Sequence, residues 1–215
     1  LLARENLTDH LNKNEKKGKI RQRLLKIRAK KVIIATGALE RPMIFNNNDR
    51  PGVMLSSAVK KYANYYGVIS GKKTVFFTNN DSAYESAISL NKKGINVEAI
   101  IDIRENSNSK IVKKTIDLGI KIYWSHTVVD TDGYKRLKEI SIMELSKDNQ
   151  SVVGAKKNIK CDCLGIAGGW TPAVHLFTQS GGKLKFNEED QVFLPNEYPS
   201  EQISIGSCNG DFELD

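Results

Sequence analysis

The chain has 215 residues, 40% of them hydrophobic and 27% charged, which supplies one good core or two small ones and argues against disorder. It has no apolar run of about 18 residues, and its opening LLARENLTDHLNKNEKK has no signal-peptide pattern, so the expectation is a cytoplasmic protein without a membrane partner. The formal net charge of +8 comes from lysines dispersed among asparagines rather than from an arginine-rich patch with interleaved aromatics, so nucleic acid is not an expected partner.

In chain order, NKNEKKGK reads as an exposed loop or hairpin, and a strand is expected over 24–28. A second strand, 31–35, carries the continuous run VIIA that suits a two-faced, parallel-sheet strand, and it runs into Thr36-Gly37. From 40 to 52, Pro42, Pro51 and Asn46-Asn47-Asn48 mark a loop and a domain crossing. The segment 56–66 places Val59, Tyr62 and Tyr66 on one helical face, with Ser56 or Ser57 as N-cap and Gly67 as the stop. A strand 74–77, a helix 82–93, a strand 96–103, a helix 110–118 and a strand 121–124 follow. Strands 137–145 and 158–166 then flank the polar SKDNQ, and a short helix near 173–179 comes next. A last strand, 203–205, leads into Gly206-Ser207-Cys208-Asn209-Gly210. This alternation, closed by an antiparallel pair, predicts an α/β protein with a mainly parallel sheet.

Three cysteines are too few for a disulfide framework, and Cys161-Asp162-Cys163 is neither a CxxC pair nor half of a zinc site. They are expected to be structural, as two thiols facing the same way on a strand. His10, His126 and His175 stand in separate contexts, and no metal site, Ser/His/Asp set or carboxylate pair is evident.

The stretch VFFTNNDSAYESAISLNKKGINVEAIIDIR, residues 75–104, has the layout of a dinucleotide-binding strand-helix-strand unit without its glycines. In the fingerprint GxGxxG/A the first glycine permits the turn, the second admits the pyrophosphate and the third packs helix on strand. Here those places hold Thr78, Asn80 and Ala83, so only the packing position survives. Ser82 and Glu85 are expected to form a capping box, with Asp81 at the positive helix end where a pyrophosphate would sit. Asp102 falls where a ribose-binding acid usually stands, but without a phosphate loop it is expected to be an interfacial or surface carboxylate.

The blocks RAKKVIIATGALERPMIF, RPGVMLSSAVKKYANYYGVISGKK, FTNNDSAY, IIDIR, CDCLGIAGGWTPAVHLFTQSGGKL and GSCNGDFEL occur in this order. Together they resemble the alpha subunits of heterotetrameric sarcosine oxidases, built on the flavoprotein disulfide-reductase architecture. The resemblance implies an FAD/NAD(P)-binding fold in which a parallel-sheet βαβ domain is inserted into a second, incomplete dinucleotide-binding domain. The expected segments are 1–50 and 166–215 for the first (NAD) domain and 51–165 for the inserted one, the chain being a fragment cut at both ends. Also implied are oxidative demethylation of sarcosine, NAD in the alpha subunit, FAD and FMN in the complex, and beta, gamma and delta subunits as partners. Catalytic residues are expected on another subunit, with none on this chain.

By the same resemblance Thr36, Gly37, Gly206, Asn209 and Gly210 become candidate cofactor contacts, while this chain alone is expected to retain no cofactor and little activity. Trp170 stands where disulfide reductases usually carry Arg, which suits a domain or subunit contact. The alternatives are an NAD(P)H-dependent flavin or disulfide reductase and a scaffold module without redox function.

Overall fold

A computed structural model describes residues 1–212; Glu213 and Leu214 of the GSCNGDFEL block lie outside the described residues. The chain forms two compact units, one from Leu1–Gly37 and the chain from Pro172 onward, the other from Ala38–Thr171. Residues 38–50 and 166–171, expected with the first unit, therefore fold with the second. Arg41 and Gly168-Gly169 are tied by two backbone bonds of 2.8 Å, and Met43 and Phe45 pack into the second unit's core.

The first unit opens with β1 (Leu2–Asn6) and β2 (Gln22–Lys26), an antiparallel hairpin whose connection holds the short helix α1 (Lys13–Lys16). Neither strand has a buried face, so no hydrophobic period announced β1 in the sequence. In β3 (Val32–Ile34), Ile34 is buried but Ile33 is 62% exposed, so among the described residues this strand is covered on one side rather than two.

The second unit begins with β4 (Ala38–Glu40), β5 (Val53–Leu55) and α2 (Ser56–Tyr65). The N-cap of α2 is Leu55, and the Ser57 N–H donates to Glu40 Oε2 at 2.9 Å, so a carboxylate from β4 replaces the expected serine cap. Val59 and Ala63 face inward, whereas Tyr62 is 44% and Tyr66 58% exposed, contrary to the expected three-residue face. The helix rests on Val59 and Ala63, and the tyrosine rings lie against each other instead.

Next come β6 (Lys73–Thr78), α3 (Ser82–Asn91), β7 (Asn96–Asp102), α4 (Lys110–Asp117) and β8 (Ile122–Tyr123). The chain then forms an antiparallel meander of β9 (His126–Asp132), β10 (Glu139–Leu145) and β11 (Val152–Lys160). It re-enters the first sheet as β12 (Cys163–Ala167) and leaves through β13 (Trp170–Pro172), which pairs with β4. The expected single strand 158–166 is thus two. It breaks at Asp162, whose carboxylate accepts the backbone N–H groups of Lys72 and Lys73 at 3.0 and 2.7 Å.

The five-stranded sheet, ordered β5-β12-β6-β7-β8, is parallel throughout. Its strands are apolar on both faces, as a covered parallel sheet requires. Phe76, Ile100 and Cys163 pack with Val59, Ala83, Leu90 and Val112 of the helices. Val75, Phe77, Ala99, Ile101 and Leu164 pack with Val128, Ile140 and Ile142 of the meander. Each of these large side chains contributes roughly 1.5–3 kcal/mol on burial. Gly165 is small because a Cβ there would lie 2.6 Å from the Phe76 ring.

The two thiols face opposite ways, Cys161 into the meander-side cluster and Cys163 into the helix-side cluster, because the chain breaks between them. The expectation of a common direction is corrected. Burial pushes the Cys161 thiol up to about 12 and the Cys163 thiol to about 11.

The returning chain adds α5 (His175–Gln179), β14 (Lys183–Asn187), β15 (Val192–Glu197) and β16 (Gln202–Ser204), then a 3-10 turn over Gly206–Asn209. β14 and β15 form an antiparallel hairpin, and β16 pairs parallel with β3. Phe177 and Cys208 close a small core around Ile34.

Candidate functional site

Two strand-end regions, one in each unit, have the placement of a nucleotide-binding site, since ligands of parallel α/β sheets bind beyond the carboxyl ends of the strands. In the second unit this place lies past Ala167 of β12, Thr78 of β6 and Asp102 of β7. The protein's own groups fill it. Thr78 is fully buried, its hydroxyl 2.8 Å from the Asn80 carbonyl oxygen and 3.2 Å from that of Ala167. Asn80 Nδ2 also donates to the Ala167 carbonyl at 3.2 Å. Asn80 Oδ1 accepts the Ser82 N–H at 2.9 Å and the Ser82 hydroxyl at 2.6 Å. The side chain of Asn80 thus occupies the end of α3 where a phosphate oxygen would dock.

The expected capping box is absent. The helix N-cap is Asp81, Ser82 is turned back to Asn80, and Glu85 reaches Lys60 of α2 at 2.9 Å. Asp81 in turn pairs with Arg104 at 2.8 Å. Ala83 is fully buried, as its packing role requires.

Asp102 is 0% exposed, so the expected surface or interfacial carboxylate is corrected to a buried one. Its oxygens accept from the Tyr84 hydroxyl at 2.7 Å, from Arg104 Nη2 at 2.7 Å and Nε at 3.0 Å, and from the Arg104 backbone N–H at 3.0 Å. A buried charge is tolerable only with such pairing. Burial, and then the negative charge of Asp102, push the Tyr84 phenol far above its usual value. Burial opposes the charge on Arg104, but the Asp102 bond and charge, then those of Asp81, outweigh it and hold the guanidinium ionised. Arg104 was the residue that sequence reasoning missed; the signal was its position two residues past Asp102 at a strand end, within IIDIR.

In the first unit, β3 and β16 run in parallel register, Val32 beside Gln202 and Ile34 beside Ser204, so their carboxyl ends lie together. The Ile205 N–H donates to the Ile34 carbonyl at 2.9 Å and extends the ladder to the turn. This brings Thr36-Gly37 and Gly206–Asn209 to the same end of the pair. Gly37 has φ +71° and Gly206 φ +66°, and a Cβ on either would meet nothing within 4 Å. Their glycine requirement is therefore conformational, and the space beside them is open.

The Thr36 hydroxyl donates to the Ala173 carbonyl at 2.7 Å, which leaves its oxygen able to accept. Asn209 Oδ1 accepts from the Tyr198 hydroxyl at 2.7 Å, leaving the amide N–H₂ as a donor. Gly210, also at positive φ, differs: a Cβ there would lie 3.0 Å from Leu194, so packing holds it small. Among the described residues no group of three or more His, Cys, Asp or Glu could hold a metal ion, and no helix is long and apolar enough to cross a membrane.

Comparison with known proteins bears on the family and the fold. The chain is 37% identical to the sarcosine oxidase subunit alpha of Corynebacterium sp. (strain P-1) over 99% of its length, and 36% identical to that of Rhizobium meliloti (strain 1021) over 80%. It spans only 22% and 16% of those relatives. Among solved structures, the thioredoxin reductase of T. acidophilum superposes with a TM-score of 0.61 at 19% identity, covering 86% of this chain and 59% of that one. The L-proline dehydrogenase of P. horikoshii gives 0.56 at 23%, covering 86% and 31%. These likenesses show the shared α/β fold expected from the sequence. The model of the pyridine nucleotide-disulphide oxidoreductases matches residues 5–204, and the chain belongs to that oxidoreductase family.

Proposed function

We propose that this chain is part of the NAD-binding alpha subunit of a sarcosine oxidase complex, with the nucleotide at the first unit and the second unit serving as a closed structural module. One observation carries the reading. The first unit has two positive-φ glycines facing open space at a common strand end, while the equivalent place in the second unit is filled by Asn80, Asp81 and Arg104. Thr36, Gly37, Gly206 and Asn209 are the residues that would hold NAD, through close backbone approach and the Asn209 amide donor. Gly210 supports the turn from behind. When bound, NAD supplies hydride-transfer chemistry; this chain's own contribution is to bind and orient it.

The relatives are named as alpha subunits of sarcosine oxidases, which supports sarcosine as substrate and assembly with further subunits. In this reading FAD and FMN lie elsewhere in the complex. In this reading the complex oxidises sarcosine to glycine, oxygen is reduced to hydrogen peroxide, and the one-carbon unit leaves as formaldehyde or passes to tetrahydrofolate. A disulfide reductase role gains no support from Cys161 and Cys163, which face opposite sides of the sheet.

The test is calorimetric titration of NAD into the intact complex. Gly37→Asn and Gly206→Asn fill the open space with the residue that best tolerates positive φ, and should weaken binding by about tenfold or more. Asn80→Ala should leave it unchanged. NAD affinity that responds to Asn80→Ala and not to the glycine variants contradicts the reading, and a complex that yields no peroxide with sarcosine contradicts the substrate.

A further inference from the structure

The helix layer of the second unit carries a groove of about 460 Å³ lined by Lys60 of α2, by Glu85, Ile88 and Ser89 of α3 with Lys92 at its C-terminal cap, and by Lys110, Ile111 and Lys114 of α4. Its rim on the α2 side is already stapled. Lys60 pairs with Glu85 at 2.9 Å, and Asn64 and Ser89 exchange hydrogen bonds of 2.9 and 3.2 Å. Lys92, Lys110 and Lys114 are exposed and make no ion pair among the described residues. Between the rims the floor is apolar, formed by the half-buried Ile111 over the buried Ile88.

The charges on the two end residues of α4 run against its dipole. A helix favours acids in its first turn and bases in its last. Here Lys110 is the first residue, no acid occurs in the first turn, and Asp117 is the last residue, while Lys114 in the last turn runs with the dipole. Lys110 and Lys114, four apart, also repel each other. Lys110 at the positive end, and its repulsion with Lys114, oppose α4's own stability, and carboxylates supplied from outside would relieve both.

We propose that this groove docks an acidic, amphipathic helical segment of a partner polypeptide, its carboxylates meeting Lys92, Lys110 and Lys114 and an apolar residue between them covering Ile88 and Ile111. The groove's size suits a few side chains rather than a folded domain. Nucleic acid fits less well, because no Arg and no aromatic ring lines the groove to clamp a phosphate or stack on a base. The proposal is independent of where NAD binds.

The probe is a fluorescent peptide of alternating Glu and Leu pairs at helical spacing, titrated by anisotropy into the intact protein, with a single-stranded DNA oligomer of equal charge as comparison. Reversing all three lysines (Lys92→Glu, Lys110→Glu, Lys114→Glu) should weaken peptide binding by about tenfold or more, and salt raised to about 0.5 M should weaken it similarly. Reversing Lys13, Lys17 and Lys19 should change it by less than about twofold. Lys110→Glu alone should raise the melting temperature by about 1–3 °C while weakening peptide binding, a combination that misfolding would not produce. Equal loss in both triple variants, no loss in the groove variant, or DNA binding as tight and as sensitive to the groove lysines would overturn the proposal.

Discussion

Asp102 shows how one residue can keep a family's position and change its use. Where a ribose-binding carboxylate would face a ligand, this one is buried against Tyr84 and Arg104. Arg104→Leu would leave a buried charge without its cation and should cost about 3–5 kcal/mol in urea unfolding. Tyr84→Phe removes one hydrogen bond from the same carboxylate and should cost about 1–3 kcal/mol. An Arg104→Leu loss no larger than that of a surface substitution would show that Asp102 is not charged and buried as described. The thiols give a pH dependence of definite sign. Their values in the folded chain are about 12 and about 11, against 9.0 for a free thiol, so the folded state holds these protons more tightly. That stabilisation is fully present below the free-thiol value and is lost as pH rises through the folded values. Cys161→Val should flatten the alkaline fall in stability, measured as unfolding midpoint against pH.

At the scale of elements, the sequence announced the parts whose period and punctuation agree: α3 and α4 with Gly94 and Gly119 behind them, and the two-faced strands β6 and β7. It misled where a partner distant in the chain decides the outcome. Ser82 and Glu85 have capping-box spacing, yet Asn80 takes the Ser82 donors and Lys60 takes Glu85. Ser56 and Ser57 look like caps for α2, yet the acceptor is Glu40, whose burial raises its pKa above the ordinary carboxylate value. No local pattern reports such bonds. Asn80→Ala should therefore cost about 1 kcal/mol, while Glu85→Ala should cost less than about 0.5 kcal/mol, as an exposed pair does. The reverse ranking by thermal or urea unfolding would restore the capping box. The strand β9 and the break at Asp162 were illegible for the same reason, since both depend on what lies across the sheet.

For the whole molecule, the insertion of one unit in another was legible because its landmarks, ATG, the loop after it and IAGGWTP, follow in order. Its edges were not. The segments 38–50 and 166–171 look like linkers, but Arg41 and Gly168-Gly169 bind each other and Phe45 packs on Phe77. The candidate site was half legible: Gly37 and Gly206 are visible as strand-end glycines, but that they face open space and share one edge follows from the parallel pairing of β3 with β16. The proposed division of labour between an open first unit and a closed second one is tested most directly by titrating NAD into the intact complex, with this subunit selectively isotope-labelled, and following its backbone amide resonances. Saturable shifts at Gly37 and Gly206, with those of Asn80 to Ala83 unmoved, are the predicted result; saturable shifts at Asn80 to Ala83 with Gly37 and Gly206 silent would contradict it.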